Sequence, residues 1–125
     1  NLKRLTTIFI VRNELPADID LQVYLQDEYY RPVDTVFRED ERPVMKGAPV
    51  DEHGEVLISE IKETTTQSQF NERDFRKLKR VKKAVFQTRV KTKGFYEDKM
   101  VKFYSDYSVR FKMAAEIETE VNINQ

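Results

Sequence analysis

The single histidine among 125 residues is His53, and it lies within Asp51-Glu52-His53-Gly54-Glu55. A histidine among three carboxylates has the groups for a general base or a metal ligand. The same five residues also describe a solvated turn, because Asp tolerates the left-handed region and Gly supplies positive φ. Adjacent residues on a tight turn seldom converge on one point, so the turn is the expected structure. No G-x-S-x-G, P-loop or H-E-x-x-H motif occurs. The chain has no cysteine, so it has neither a disulfide framework nor a thiolate metal site. That leaves the redox compartment undecided. No catalytic residue is assigned, no cofactor is expected, and the chain is read as not an enzyme.

Hard-oxygen metal ligands are the next chemistry to weigh. Asp18 with Asp20, Asp27 with Glu28, and Glu39-Asp40-Glu41 offer carboxylates. None follows the D-x-[DN]-x-[DN]-G calcium loop, so solvated loops are the expected reading and no metal is assigned.

Charge is more informative in its distribution than in its net value of zero. Residues 14–63 hold five basic and fourteen acidic groups, whereas residues 64–93 hold ten basic and two acidic groups. Arg73, Arg76, Lys77, Lys79, Arg80, Lys82 and Lys83 form the dense part of this basic segment, continued by Arg89, Lys91 and Lys93. Such a segment could track a polyanion, an acidic glycan or a nucleic acid, with strong salt dependence. The competing expectation is a surface helix whose charges face water or pair with the acidic first half. No helix-turn-helix, RNP or KH pattern favours nucleic acid. The asymmetry also suits association with a neighbouring module.

Exposed aromatics are the third candidate. Tyr29 and Tyr30 lie beside a turn, and Phe95 and Tyr96 follow Gly94. Rings at such places can fill a partner's pocket or cap the ends of a core.

These residues need a scaffold, and the apolar spacing describes one. The hydrophobic fraction is 39%, and eight Phe and six Tyr argue against disorder. One domain is the expected count at this length. No stretch approaches the ~18 apolar residues that a membrane-spanning helix needs. The chain opens at Asn1, which is expected of a processed product or of one module cut from a larger protein. Ile19, Leu21, Val23 and Leu25 alternate with polar residues, which predicts a half-buried strand. Residues 5–11 are apolar more continuously, as a strand covered on both faces would be. Residues 33–37, 56–61 and 84–90 read as further strands, and Thr64 to Gln69 as the end of another. From Val101 to Ile123 the odd positions are mostly apolar. One unbroken strand of that length would span roughly 75 Å, against a radius of gyration of ~14 Å for the domain. A bend is therefore expected at Ser105-Asp106 or Ala114-Ala115, or else the strand projects and pairs with a neighbouring chain.

One helix is predicted over 72–81. Asn71 is its N-cap, Asp74 complements its N-terminal dipole, and Phe70 with Phe75 has the spacing of a hydrophobic staple. Phe75, Leu78 and Val81 then share one face. Six or seven strands with a single helix predict a mainly β, two-layer β-sandwich, with the helix crossing between sheets or capping one end.

Phe9-Ile10-Val11-Arg12-Asn13-Glu14-Leu15-Pro16, followed by Ile19-Asp20-Leu21-Gln22-Val23-Tyr24, resembles the first hairpin of immunoglobulin-like sandwiches of the late-embryogenesis-abundant type. There a strand ends in an Asn–Pro corner; here Glu14 and Leu15 separate the two residues. Val101-Lys102-Phe103-Tyr104-Ser105-Asp106-Tyr107, and Leu78-Lys79 ahead of a strand, are similar to modules of Bacteroidetes-type envelope lipoproteins. The resemblance implies an extracytoplasmic, non-catalytic structural or protein-interaction module. Its expected partners are another protein, a neighbouring domain or, through the C-terminal strand, a second copy. Polyanion binding through residues 73–93 is the alternative.

Overall fold

The computed structural model describes residues 2–90 and 106–119. Its elements are β1 (Leu2–Asn13), β2 (Ile19–Gln26), β3 (Pro32–Thr35), β4 (Val44–Met45), β5 (Glu63–Asn71), α1 (Glu72–Leu78), β6 (Lys83–Val90) and β7 (Val109–Thr119). They form two antiparallel sheets packed against each other, the two-layer β-sandwich with one short helix that the alternation predicts. In the first sheet β1 lies between β5 and β7. In the second, β6 pairs along the whole of β2, and β3 and β4 share the opposite edge of β2. The helix follows a strand of one sheet and precedes a strand of the other, so it makes the crossover.

Period-two alternation builds the core. Phe9 and Val11 of β1 and Ile19, Leu21 and Val23 of β2 are at most 1% exposed. Met45, Phe37 and Phe70 join them. The Phe9 ring meets Phe37 at 5.6 Å and Phe86 at 6.1 Å between centroids. Phe86 of β6 stacks on Phe111 of β7 at 5.6 Å, which ties the two sheets together along that side.

The polar row of β2 is not solvated. Asp20 and Gln22 are 1% and 0% exposed, where the alternation predicts a half-buried strand. The reason is the segment between β3 and β4, which leaves the edge of β2 and returns to it. Val36 donates its N–H to the Val23 carbonyl, and the Pro43 carbonyl accepts from the Leu21 N–H. Between these anchors the Gln22 amide donates to the Phe37 carbonyl at 2.8 Å and to Glu39 Oε1 at 3.1 Å, and its oxygen accepts the Phe37 N–H at 3.1 Å. Asp20 accepts a forked pair of bonds from Arg89, and Arg42 Nη1 approaches it to 3.9 Å. The Arg42 side chain is itself buried, donates to Gln87 through Nη2, and leaves its Nε without a hydrogen-bond partner among the described residues.

A second knot joins the two sheets. The buried side chain of Asn13 donates to the carbonyls of Ala17 and Lys46 and accepts the Leu15 N–H. Gly47 lies so close to Ala17 that a Cβ there would sit 2.7 Å from the Ala17 nitrogen. Glu14 then holds the start of β7: its carboxylate accepts the hydroxyl and the N–H of Ser108 at 2.8 and 3.1 Å.

Several boundaries differ from the periodicity. The helix ends at Leu78, three residues early, because Arg80 and Val81 donate to carbonyls three residues back and Lys82 donates to the Gln26 carbonyl, which draws the chain into β6. Val81 still packs against the core, which is why its spacing looked helical. Residues 33–37 give the shorter strand β3, since Phe37 turns away to bond Gln22. Residues 56–61 form one isolated bridge, Val50 to Val56, and a 3₁₀ turn over Ile58–Glu60 instead of a strand. The polar run at 64–69 is the middle of a complete strand, β5, rather than the end of one. On β1 the outward Ile8 and Ile10 are half-buried beside the flanking strands rather than covered. Ala114 and Ala115 lie inside unbroken β7, paired with Ile8 and Thr7, and make no bend. Asp106 does occupy a turn, while Ser105 and the remainder of the 101–123 pattern outside 106–119 fall beyond the described residues.

Two outcomes follow from these contacts. Gln22→Leu strands the Phe37 N–H and carbonyl, and chemical denaturation should show a loss of about 2–3 kcal/mol. The Ser108 hydroxyl bond, with the Ser108 N–H and Arg12, holds the Glu14 carboxyl below its ordinary 4.5 despite some desolvation. The stability this provides is complete above the unfolded value and is lost as pH falls through the lower folded value. Glu14→Gln should therefore reduce stability at pH 7 and flatten the acid limb of a melting-temperature profile below about pH 4.5.

Candidate functional site

The hairpin between β2 and β3 is built on one carboxylate. Asp27 Oδ1 accepts the N–H groups of Tyr29 at 2.8 Å and Arg31 at 2.9 Å, and Oδ2 accepts Arg31 Nε at 2.8 Å. The backbone closes around it, with Asp27 N–H donating to the Arg31 carbonyl and Tyr30 N–H to the Asp27 carbonyl. Burial raises the Asp27 carboxyl, but the Arg31 and Tyr29 N–H groups and the Arg31 guanidinium outweigh that and hold it below the usual aspartate range.

This turn forces Tyr30 to φ 64°, a left-handed conformation normally given to Gly or Asn. The strain places two rings in solvent, Tyr29 at 66% and Tyr30 at 71% exposed. Both are braced by cations. The Arg31 guanidinium lies 5.0 Å from the Tyr29 centroid, and Lys83 Nζ lies 3.1 Å from that of Tyr30. Lys83 also donates to the Glu28 carbonyl.

The contact of Lys83 with Tyr30 joins two candidate groups that the sequence separates by more than fifty residues. The α1–β6 turn bearing Lys79, Arg80 and Lys82 leads into this end of the sandwich, since the Lys82 N–H donates to the Gln26 carbonyl directly before the hairpin. Lys79, Arg80 and Lys82 are exposed and form no ion pair among the described residues, and the same holds for Arg73 and Arg76 on α1.

The remaining basic residues are divided. Lys77 pairs with Asp34 at 3.5 Å, and Arg89 is committed to Asp20, so these two follow the expectation of pairing with the acidic first half. Arg73 lines a shallow depression at the start of the helix with Lys3, Arg4 and Glu118, away from the tyrosines. Phe95, Tyr96, Lys91 and Lys93 lie outside the described residues.

The helix is positioned by its cap. Asn71 accepts the Arg73 N–H through its side chain, and Asp74 accepts the Asn71 N–H in return. Phe75 and Leu78 dock on the core, which leaves Arg76 and Lys79 facing water.

His53 belongs to a turn. Asp51 Oδ1 accepts the N–H groups of His53 and Glu55, and Gly54 has φ 80°. The imidazole approaches Glu52 at 3.4 Å with both side chains largely in water. Of the calcium candidates, Asp18 accepts the Gly47 N–H, Asp20 holds Arg89, Asp27 holds its hairpin, Glu39 meets Gln22 and Asp40 meets Arg38. Among the described residues no three His, Cys, Asp or Glu side chains are grouped to hold a metal ion. No described helix is long and apolar enough to cross a membrane.

Sequence reasoning named Tyr29, Tyr30 and Lys83 as candidates, weighed Asp27 only as a hard-oxygen metal ligand and gave Arg31 no role; the four-residue spacing of Asp27 and Arg31 around a turn is the one local signal of the carboxylate-centred loop. No protein-family model, curated protein or solved structure matches the chain.

Tyr30→Gly removes the left-handed strain together with the ring. Thermal or chemical denaturation should show unchanged stability or a gain of up to about 1 kcal/mol, even though a cation–aromatic contact is lost.

Proposed function

We propose that this chain is a non-catalytic protein-interaction module whose recognition surface is the Tyr29–Arg31 hairpin tip with the adjoining basic turn, 79–83. The observation that carries this reading is the left-handed Tyr30, held at backbone cost with its ring in solvent and a lysine against it. Strain of this kind, of order 1–3 kcal/mol, persists where the surroundings impose it and clusters at ligand-contacting sites. Rigid Tyr and Arg side chains are also the residue types that dominate interface energetics. The surrounding lysines and arginine favour an acidic surface on the partner. The turn-bound histidine and the internally engaged carboxylates support the non-catalytic part of the reading. An exported or cell-envelope parent protein follows from the resemblance of the sequence to envelope lipoprotein modules.

A second reading, polyanion binding, is favoured by one observation: Arg73, Arg76, Lys79, Arg80 and Lys82 form no ion pair among the described residues.

The two readings separate on measurement. A photo-crosslinking residue at Tyr29 should capture a protein partner in the native host, a capture that Tyr30→Ala reduces at least tenfold, about 1.4 kcal/mol, without lowering the melting temperature. The same residue at exposed Ile58 should capture nothing. Equal capture from both positions removes the interaction reading. For polyanion binding, the unmodified chain should bind heparin at about 50 mM salt, where the Debye length is ~14 Å. Reversal of Lys79, Arg80 and Lys82 to Glu should abolish that binding, and its absence in the unmodified chain removes the second reading.

A further inference from the structure

β7 alternates two distinct rows of side chains. One row is Arg110, Lys112, Ala114, Glu116 and Glu118; the other is Val109, Phe111, Met113, Ala115 and Ile117. The charged row is antisymmetric about Ala114: two cations precede the alanine at the spacing at which two anions follow it.

Within its own sheet this row is poorly matched. Across on β1, Lys112 faces Ile10, Glu116 faces Thr6, and Arg110 faces Arg12, a like charge that Glu14 already holds. Arg110 makes a 3.5 Å contact to the Ser108 hydroxyl and feels the Glu14 carboxylate without an ion pair to it. Glu118 forms an ion pair, with Arg4 at 3.6 Å, with over half of each side chain in water. In the corresponding row on β5, Thr65, Gln67 and Gln69 are neutral, and the one charge, Glu63, stands opposite Arg12 at the far end from Glu116 and Glu118. Like charges two residues apart on one face lie only ~7 Å from each other. The apolar row is also incomplete, since Met113 and Ile117 are 56% and 63% exposed although they stand on the face that bears the core. Among the described residues β7 is paired on one edge only, with β1.

We propose that β7 pairs antiparallel with β7 of a second copy of this chain about a two-fold axis at Ala114, fusing two three-stranded sheets into one of six strands. The symmetry brings Arg110 opposite the second copy's Glu118 and Lys112 opposite its Glu116, and each pair occurs twice. The two Ala114 residues, the smallest in the row, meet on the axis. On the other face Phe111 lies opposite the second copy's Ile117, and Met113 opposite its Ala115, so large and small side chains interleave. A register shifted by two in either direction sets Ala114 against Lys112 or Glu116. Opposed charges and apolar pairs of this kind are the unit of sheet stabilisation, and an isologous contact closes on itself without forming filaments. The surface is separate from the tyrosine tip, so the two readings stand or fall independently.

Sedimentation equilibrium of the unmodified 125-residue chain tests the pairing. A reversible dimer is expected, unaffected by Tyr30→Ala. Lys112→Glu alone and Glu116→Lys alone should each weaken dimerisation at least tenfold with unchanged circular dichroism. An equimolar mixture of the two should restore it as a heterodimer, and so should the double variant. Because the chain has no cysteine, Ala114→Cys should form a covalent dimer with oxidised glutathione, as opposed antiparallel Cα atoms ~4.5–5.5 Å apart suit a disulfide. Ala115→Cys should not. A monomer at all concentrations up to about 1 mM, a mixture no tighter than the single variants, or cross-linking through Ala115→Cys instead of Ala114→Cys would each overturn the proposal.

Discussion

The amide of Gln22 decides how the second sheet is built. β2 carries a buried apolar row and, on its other side, the buried polar pair Asp20 and Gln22. A buried amide must find hydrogen-bond partners, and Gln22 finds them on the backbone of Phe37, at the point where the chain leaves the sheet edge. That fixes where β3 stops, lets the Phe37 ring enter the core against Phe9, and sets the length of the loop that brings the chain back as β4. Asp20 completes the row by holding Arg89 and approaching Arg42, so the polar side of β2 is closed by its own loop and by β6. The geometry of the next connection inherits this, because β4 leads into Gly47 and its close approach to Ala17.

How much of this was legible in the sequence depended on the range of the interaction. Ile19, Leu21, Val23 and Leu25 reveal a strand because their alternation is local, and Asn71 with Asp74 reveals a helix start because a cap is local. The polar partners of the same strand gave no such notice. Gln22 and Asp20 look like solvent-facing residues until Phe37 and Arg89 arrive from far along the chain. β4 is two residues long and carries no pattern at all. Residues 56–61 carry an apolar pattern without a partner strand, and Ile58 ends 64% exposed. The site follows the same logic: the tyrosines and the basic segment were each visible, whereas the placement of Lys83 on Tyr30 is a product of the β2–β6 register.

That register also explains why the tip is well defined although it is exposed. The hairpin does not rest on a hydrophobic base; it is organised from within by Asp27, which satisfies two backbone donors and one guanidinium. Arg31 and Lys83 then restrict the two rings from outside. Tyrosine has few rotatable bonds to immobilise, so the cost of ordering these rings has been met largely by folding.

β1 occupies an unusual place in time as well as in space. It is the first strand of the chain and the central strand of its sheet, yet its partners are β5 and β7, the latter beginning about a hundred residues later. During synthesis Thr6-Thr7-Ile8-Phe9-Ile10-Val11 therefore stays unpaired until β5 has followed, and keeps one open edge until β7 is added. Such a segment combines high β-propensity with no charge, the composition that favours intermolecular stacking. Closure of so wide a loop makes folding a late and slow event. The topology thus leaves one edge of this apolar segment open until β7 has been added.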